Sequence, residues 1–69
     1  MLYGASNQFT GVVAFIRKDE VMSEVVLEIT KGIYVTSVMT TATLSNMKIK
    51  VGDRLNALVK AENVVLDKE

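Results

Sequence analysis

Alternation of apolar and polar positions dominates the chain from Phe9 onward, interrupted by short polar breaks. It is clearest from Val21 to Ile29, where Val21, Ser23, Val25, Leu27 and Ile29 fall on one face of an extended chain and Met22, Glu24, Val26 and Glu28 on the other. This predicts a strand with one buried face and one mixed face. Upstream, Phe9 to Arg17 is rich in β-forming residues, and Gly11 within it predicts a bend or a close backbone approach. Lys18-Asp19-Glu20 turns the chain between these two strands. Thr30-Lys31-Gly32 suits a short hairpin with Gly32 at positive φ, and it leads into the β-branched run of a third strand, Ile33 to Met39.

The two-residue period stops at Thr40. From there to Met47 hydroxyls precede small, helix-compatible residues, which predicts a short helix with Thr40 as its N-cap. Val51-Gly52-Asp53 reads as a turn, and Arg54 to Val59 restores alternation through Leu55, Ala57 and Val59. Ala61-Glu62 breaks it again, and Asn63 to Leu66 reads as a last strand before the charged Asp67-Lys68-Glu69. Five short strands and a helix between the third and fourth describe an all-β chain with one short helix, a small five-stranded OB-like barrel. The pattern also admits an SH3-like barrel. With no linker, low-complexity stretch or internal repeat, residues 1–69 are expected to form a single domain.

Composition adds a constraint on assembly. A 69-residue chain is expected to bury only roughly 60% of its unfolded surface, which leaves a lone monomer marginal. It has no cysteine and no histidine, so neither disulfides nor the usual zinc ligands can staple it. Hydrophobic residues make up 49% of the chain, a surplus that predicts burial against another subunit. Eight Lys plus Arg balance eight Asp plus Glu, so there is no overall field to draw in nucleic acid or an anionic membrane. Met1 to Ser6 lacks a basic region followed by an apolar core, and no stretch approaches transmembrane length, so the cytoplasm is the expected location.

Familiar catalytic chemistry finds no foothold. A nucleophile–base pair would need Ser, Thr or Lys activated by burial, and no nucleophile-elbow motif surrounds any serine. Asp19-Glu20 sits in a predicted turn and reads as solvated rather than as a metal or acid–base pair. Glu24 and Glu28 lie apart on one strand face, no phosphate-loop spacing occurs, and the methionines read as core or interface filler rather than metal ligands. The aromatics Tyr3, Phe9, Phe15 and Tyr34 have no accompanying basic cluster, which argues against an OB-type nucleic-acid binder.

Three strings taken in order carry more than any of them alone. They are Ala5-Ser6-Asn7-Gln8-Phe9-Thr10-Gly11, Ser23-Glu24-Val25-Val26-Leu27-Glu28-Ile29 and Ala57-Leu58-Val59-Lys60-Ala61. Over essentially the whole chain they resemble the molybdate-binding Mop domain of molbindins, which is related to the TOBE domains of molybdate transporters and molybdate-responsive regulators. The resemblance implies an oxyanion carrier rather than an enzyme. It implies molybdate or tungstate as the ligand, no covalent cofactor, and sites at subunit interfaces of a homo-oligomer, a hexamer built as a trimer of dimers. Storage or homeostasis of molybdenum would be the role. The competing expectation is a Mop-fold interaction module that has lost its ligand or holds another oxyanion such as sulfate.

A tetrahedral dianion only accepts hydrogen bonds, so its site must offer amides, hydroxyls and a cation while keeping carboxylates away. By resemblance the oxyanion-binding positions are Ala5, Ser6, Asn7, Thr40, Thr43, Lys60 and Ala61. Molbindins usually read Ser-Ala-Arg-Asn-Gln where this chain has Gly4-Ala5-Ser6-Asn7-Gln8, so Ser6 stands in the arginine's place. Thr40 and Thr43 match the family's hydroxyls three residues apart, and Lys60 is kept. Glu62 replaces a small hydroxyl residue and puts a carboxylate beside the string. Each position also has a plainer role: Lys60 as a solvated lysine, Thr40 and Thr43 as helix caps, Asn7 and Gln8 as organisers of the strand entrance.

Overall fold

Residues 6–69 are described by a computed structural model. Its elements are β1 (Ser6–Lys18), β2 (Met22–Thr30), β3 (Ile33–Thr40), α1 (Thr41–Met47) and β4 (Arg54–Lys60), followed by a 3-10 turn at Ala61–Asn63. The strands form one antiparallel sheet in the order β3-β2-β1-β4. β1 serves two neighbours in succession. Its first half, Ser6 to Val12, pairs with β4, and its second half, Val12 to Lys18, pairs with β2. A bulge between Val13 and Phe15 adds local twist, and the sheet curls into half a barrel.

Gly11 sits where β1 passes from one partner to the other. It is buried, and a Cβ there would lie 2.8 Å from the Glu28 carbonyl oxygen and 2.8 Å from Ile29 Cδ1. The expected close approach is therefore between backbones, and only glycine permits it. Gly32 takes φ 84° in the β2–β3 hairpin, as its turn requires.

The inner face carries the core: Val13, Val25 and Leu27 from the sheet, closed over by Leu44 of α1 and by Ile49. Ser23 shares that face and is 3% exposed. Val21, expected at the head of the second strand, instead lies in the preceding bend and is exposed. Its carbonyl is turned aside to accept the Thr41 amide at 2.8 Å. After α1, Lys48 adopts φ 57° and returns its amide to Ser45, while Ile49 reaches back to Leu44, so the helix stops after two turns.

The expected fifth strand at Asn63 to Leu66 is not formed; among the described residues the sheet has four. Ala61–Asn63 coils into the 3-10 turn, and Val64 to Leu66 follow it without joining a ladder. β-propensity at Val64, Val65 and Leu66 is real, but a strand exists only when a neighbour pairs with its backbone. Val65 and Leu66 are 88% and 90% exposed. The curled sheet also stays open between its two edges, β3 and β4, where a cleft of about 500 Å³ is lined by Val25, Leu27, Met39, Ile49, Leu55 and Ala57 among others. The Cα radius of gyration is 13.1 Å, above the roughly 11 Å of a compact domain of this length.

Candidate functional site

The sequence-assigned positions fall into two groups. The first lies where β1 begins and β4 ends. Ser6 pairs with Lys60 and Asn7 with Val59 in the antiparallel ladder, which puts the two distant strings side by side. Asn7 is half-buried, and its Nδ2 donates to the Val59 carbonyl at 3.2 Å, so its amide ties the two strand ends together. Lys60 is exposed and precedes the 3-10 turn that Ala61 opens, with Glu62 in the same turn. Ala5 lies outside the described residues.

The second group lies at the far end of the sheet. Thr40 is the N-cap of α1 as expected, with extended backbone (φ −69°, ψ 149°) and its Oγ1 accepting from the Thr43 amide at 3.1 Å. The same Thr40 hydroxyl donates to Thr43 Oγ1 at 2.8 Å. A hydroxyl carries one proton, so Thr40's is committed within the pair. Thr43 receives that proton and keeps its own, and among the described residues nothing accepts it. Of the two threonines, Thr43 is the one able to donate outward.

Beside this pair is a hydroxyl network that sequence reasoning did not single out. Ser23 Oγ lies 2.7 Å from Thr41 Oγ1, and Thr41 Oγ1 donates to the Asp19 carbonyl at 2.6 Å. The Asp19 carbonyl can only accept, so the Thr41 proton points to it and Ser23 is the donor to Thr41. The one available signal was Ser23 itself, a hydroxyl on the otherwise apolar face of β2.

Register places the two groups at opposite ends of β1. Thr40 pairs with Met22 on β2, next to the Ser23–Lys18 pair that ends β1, whereas Lys60 pairs with Ser6 at the start of β1. β1 runs 13 residues between them, a path on the order of 30 Å or more at strand rise. One chain therefore unites Ser6, Asn7, Lys60 and Ala61 but leaves Thr40 and Thr43 at the opposite end. Among the described residues no group of three or more acidic or metal-ligating side chains could hold a metal ion, and no helix is long and apolar enough to cross a membrane.

Comparison with known families matches the TOBE domain over residues 4–66. The chain belongs to the TOBE domain family. This TOBE chain is 36% identical over 66 residues to molybdenum-pterin-binding protein 3 of Clostridium pasteurianum, covering 96% of its own length and 97% of that protein. It is 33% identical over 66 residues to the molybdenum transport protein ModE of Herbaspirillum seropedicae, where the match spans 24% of the longer protein. Among solved structures, MopII from Clostridium pasteurianum superposes with a TM-score of 0.86 at 34% identity, covering 97% of this chain and 100% of that one. A molybdate binding protein from Sporomusa ovata gives a TM-score of 0.85 at 28% identity, covering 99% and 100%. The four-stranded half-barrel with one short helix is thus the Mop fold, and the resemblance read from the three strings is correct.

Proposed function

We propose that this TOBE chain binds molybdate reversibly at sites shared between copies of itself, serving as a cytoplasmic store or buffer rather than as a catalyst. The observation that supports the reading is the placement of the donors implied by the resemblance at opposite ends of β1. Lys60 supplies the cation among them and Thr43 an outward hydroxyl proton. A tetrahedral dianion is well held by both, and a second copy would bring one end beside the other. Lys60 then offsets charge, Thr43 donates, Thr40 orients Thr43, and Ala5, Ser6, Asn7 and Ala61 complete the shell. Tungstate, with the same charge and shape, is bound by the same donors.

The exposed apolar surface supports the assembly this requires. Phe9, Leu58, Val64, Val65 and Leu66 are all exposed, most of them at or beyond the Lys60 end, and along the cleft between β3 and β4 Met39, Leu55 and Ala57 are only half-buried. A trimer of dimers would cover both. Ser6 and Glu62 favour a second reading, because a serine where molbindins carry arginine and an added carboxylate both lower the site's positive charge. In that reading the assembly persists while the ligand is sulfate or none. Calorimetric titration with molybdate, tungstate and sulfate, run beside light scattering, tests both. Micromolar-or-tighter molybdate binding by an oligomer is expected. A monodisperse monomer would remove the shared site, and an oligomer that binds sulfate alone, or nothing, would favour the second reading.

A further inference from the structure

We infer that Ser23 and Thr41 are positioning residues for the oxyanion site, acting through Thr43 without touching the anion themselves. The inference rests on the molybdate reading above. Thr41, the first residue of α1, is fastened to the β1–β2 turn twice: its amide donates to the Val21 carbonyl at 2.8 Å and its hydroxyl to the Asp19 carbonyl at 2.6 Å. That turn is itself closed by the Asp19 amide on the Met22 carbonyl at 3.1 Å. Ser23, anchored in the core at 3% exposure, donates to Thr41 from below. The proton order is fixed along the chain from Ser23 to Thr41 to Asp19, because each hydroxyl has one proton and the terminal carbonyl has none.

The consequence reaches the neighbouring pair. Thr40 and Thr41 are adjacent, so pinning Thr41 to the sheet fixes the backbone from which Thr40 caps the helix, and Thr40 holds Thr43 by both its amide and its hydroxyl. The Thr43 proton is thereby aimed by a rigid linkage running back to the buried face of β2. A seven-residue helix would otherwise be a loose support, since an isolated helix of that length has almost no stability of its own. A buried serine in an apolar face otherwise brings only a desolvation penalty. Here its hydroxyl is satisfied, and no buried side-chain polar atom among the described residues lacks a partner.

The test combines a ligand-free measurement with a binding measurement on the full chain. Thr41→Val removes the hydroxyl while keeping the branched shape, Thr41→Ser retains the hydroxyl, and Thr43→Ala removes the donor. Without ligand, Thr41→Val should accelerate hydrogen exchange at the Thr43 amide while leaving Val25 and Leu27 amides protected. With molybdate, it should weaken binding about fivefold, a partial loss of one charge-assisted hydrogen bond. Thr41→Ser should retain near-wild-type affinity. Thr41→Val added to Thr43→Ala should weaken binding no further than Thr43→Ala alone, since the effect runs through Thr43. Full additivity, or unchanged affinity in Thr41→Val, would overturn the inference. If the wild-type chain takes no molybdate, the function reading fails by that result, and a Thr43 amide unaffected by Thr41→Val independently overturns the clamp.

Discussion

The two ends of β1 are built differently. Where β1 meets β2, hydroxyl hydrogen bonds join Ser23 to Thr41 and Thr40 to Thr43, and Ser23 and Leu44 are only 3% and 4% exposed. Where β1 meets β4, side-chain bonds from Asn7 to the Val59 carbonyl and from Thr10 to Asn56 link the strands, Lys60 is exposed, and an apolar tail follows that joins no ladder among the described residues. The first end is tied together within the monomer. The second presents the exposed cation and the apolar surface that the proposed assembly would cover. On that proposal, donors held by hydrogen bonds at one end and an exposed cation at the other would suit a site assembled between subunits, because only one partner must adjust when they meet.

The most severe way to break the built end is Leu44→Ala. Leu44 is the one buried residue of α1, so its loss should destabilise the fold by about 3 kcal/mol and release the helix from the sheet. Urea denaturation followed by the midpoint shift reads this directly. Molybdate affinity should fall with it, because Thr40 and Thr43 travel with the helix. Retained affinity at the temperature where wild type is folded would mean that the α1 end contributes nothing to the site.

Lys60→Ala addresses the other end. It should weaken molybdate binding by roughly 1.5–3 kcal/mol if Lys60 makes a charge-assisted bond, while chain stability hardly moves because the side chain is exposed. Calorimetric titration paired with thermal unfolding separates the two. Equal affinity in variant and wild type would show that the cation at this end is only solvated.

How much of this contrast was legible in the sequence follows from the range of each interaction. The β2 alternation from Met22 onward, the Gly32 turn and the Thr40 cap are set by residues within a few positions of one another, and each stands as expected, Val21 alone falling outside the strand. Gly11 announced a close approach but not its partner, Glu28, which lies a strand away. Asn63 to Leu66 misled because propensity is a property of the segment while pairing is a property of its neighbour. The Ser23–Thr41 bond spans 18 residues and had only a lone serine as its mark. The resemblance implied one site for Thr40, Thr43 and Lys60, and their placement at opposite ends of β1 needed the strand register.

A smaller effect is expected from Thr40→Ala, which removes the cap. Losing the bond to the Thr43 amide should destabilise the fold by about 1 kcal/mol. Binding should weaken as well, since Thr43 would lose the hydroxyl that orients it. Serine at the same position should restore both properties. A serine variant that restored stability but not affinity would show that the Thr40 methyl matters to the site, contrary to a purely hydrogen-bonding role.

The smallest change tests the loose end by charge alone. Glu62 is exposed in the 3-10 turn, two residues beyond Lys60. If its carboxylate stands near the bound dianion it repels it, and Glu62→Ser should tighten molybdate binding by about two- to fivefold at low salt, with the gain shrinking as ionic strength rises. The salt dependence matters because solvent-exposed charges a Debye length apart are screened, whereas a lost direct contact would not recover in salt. Calorimetric titration of both proteins at low and moderate salt reads the effect. Weaker binding by the serine variant would contradict repulsion and would place Glu62 as an aid to the Lys60 end, holding that lysine in position rather than opposing its ligand.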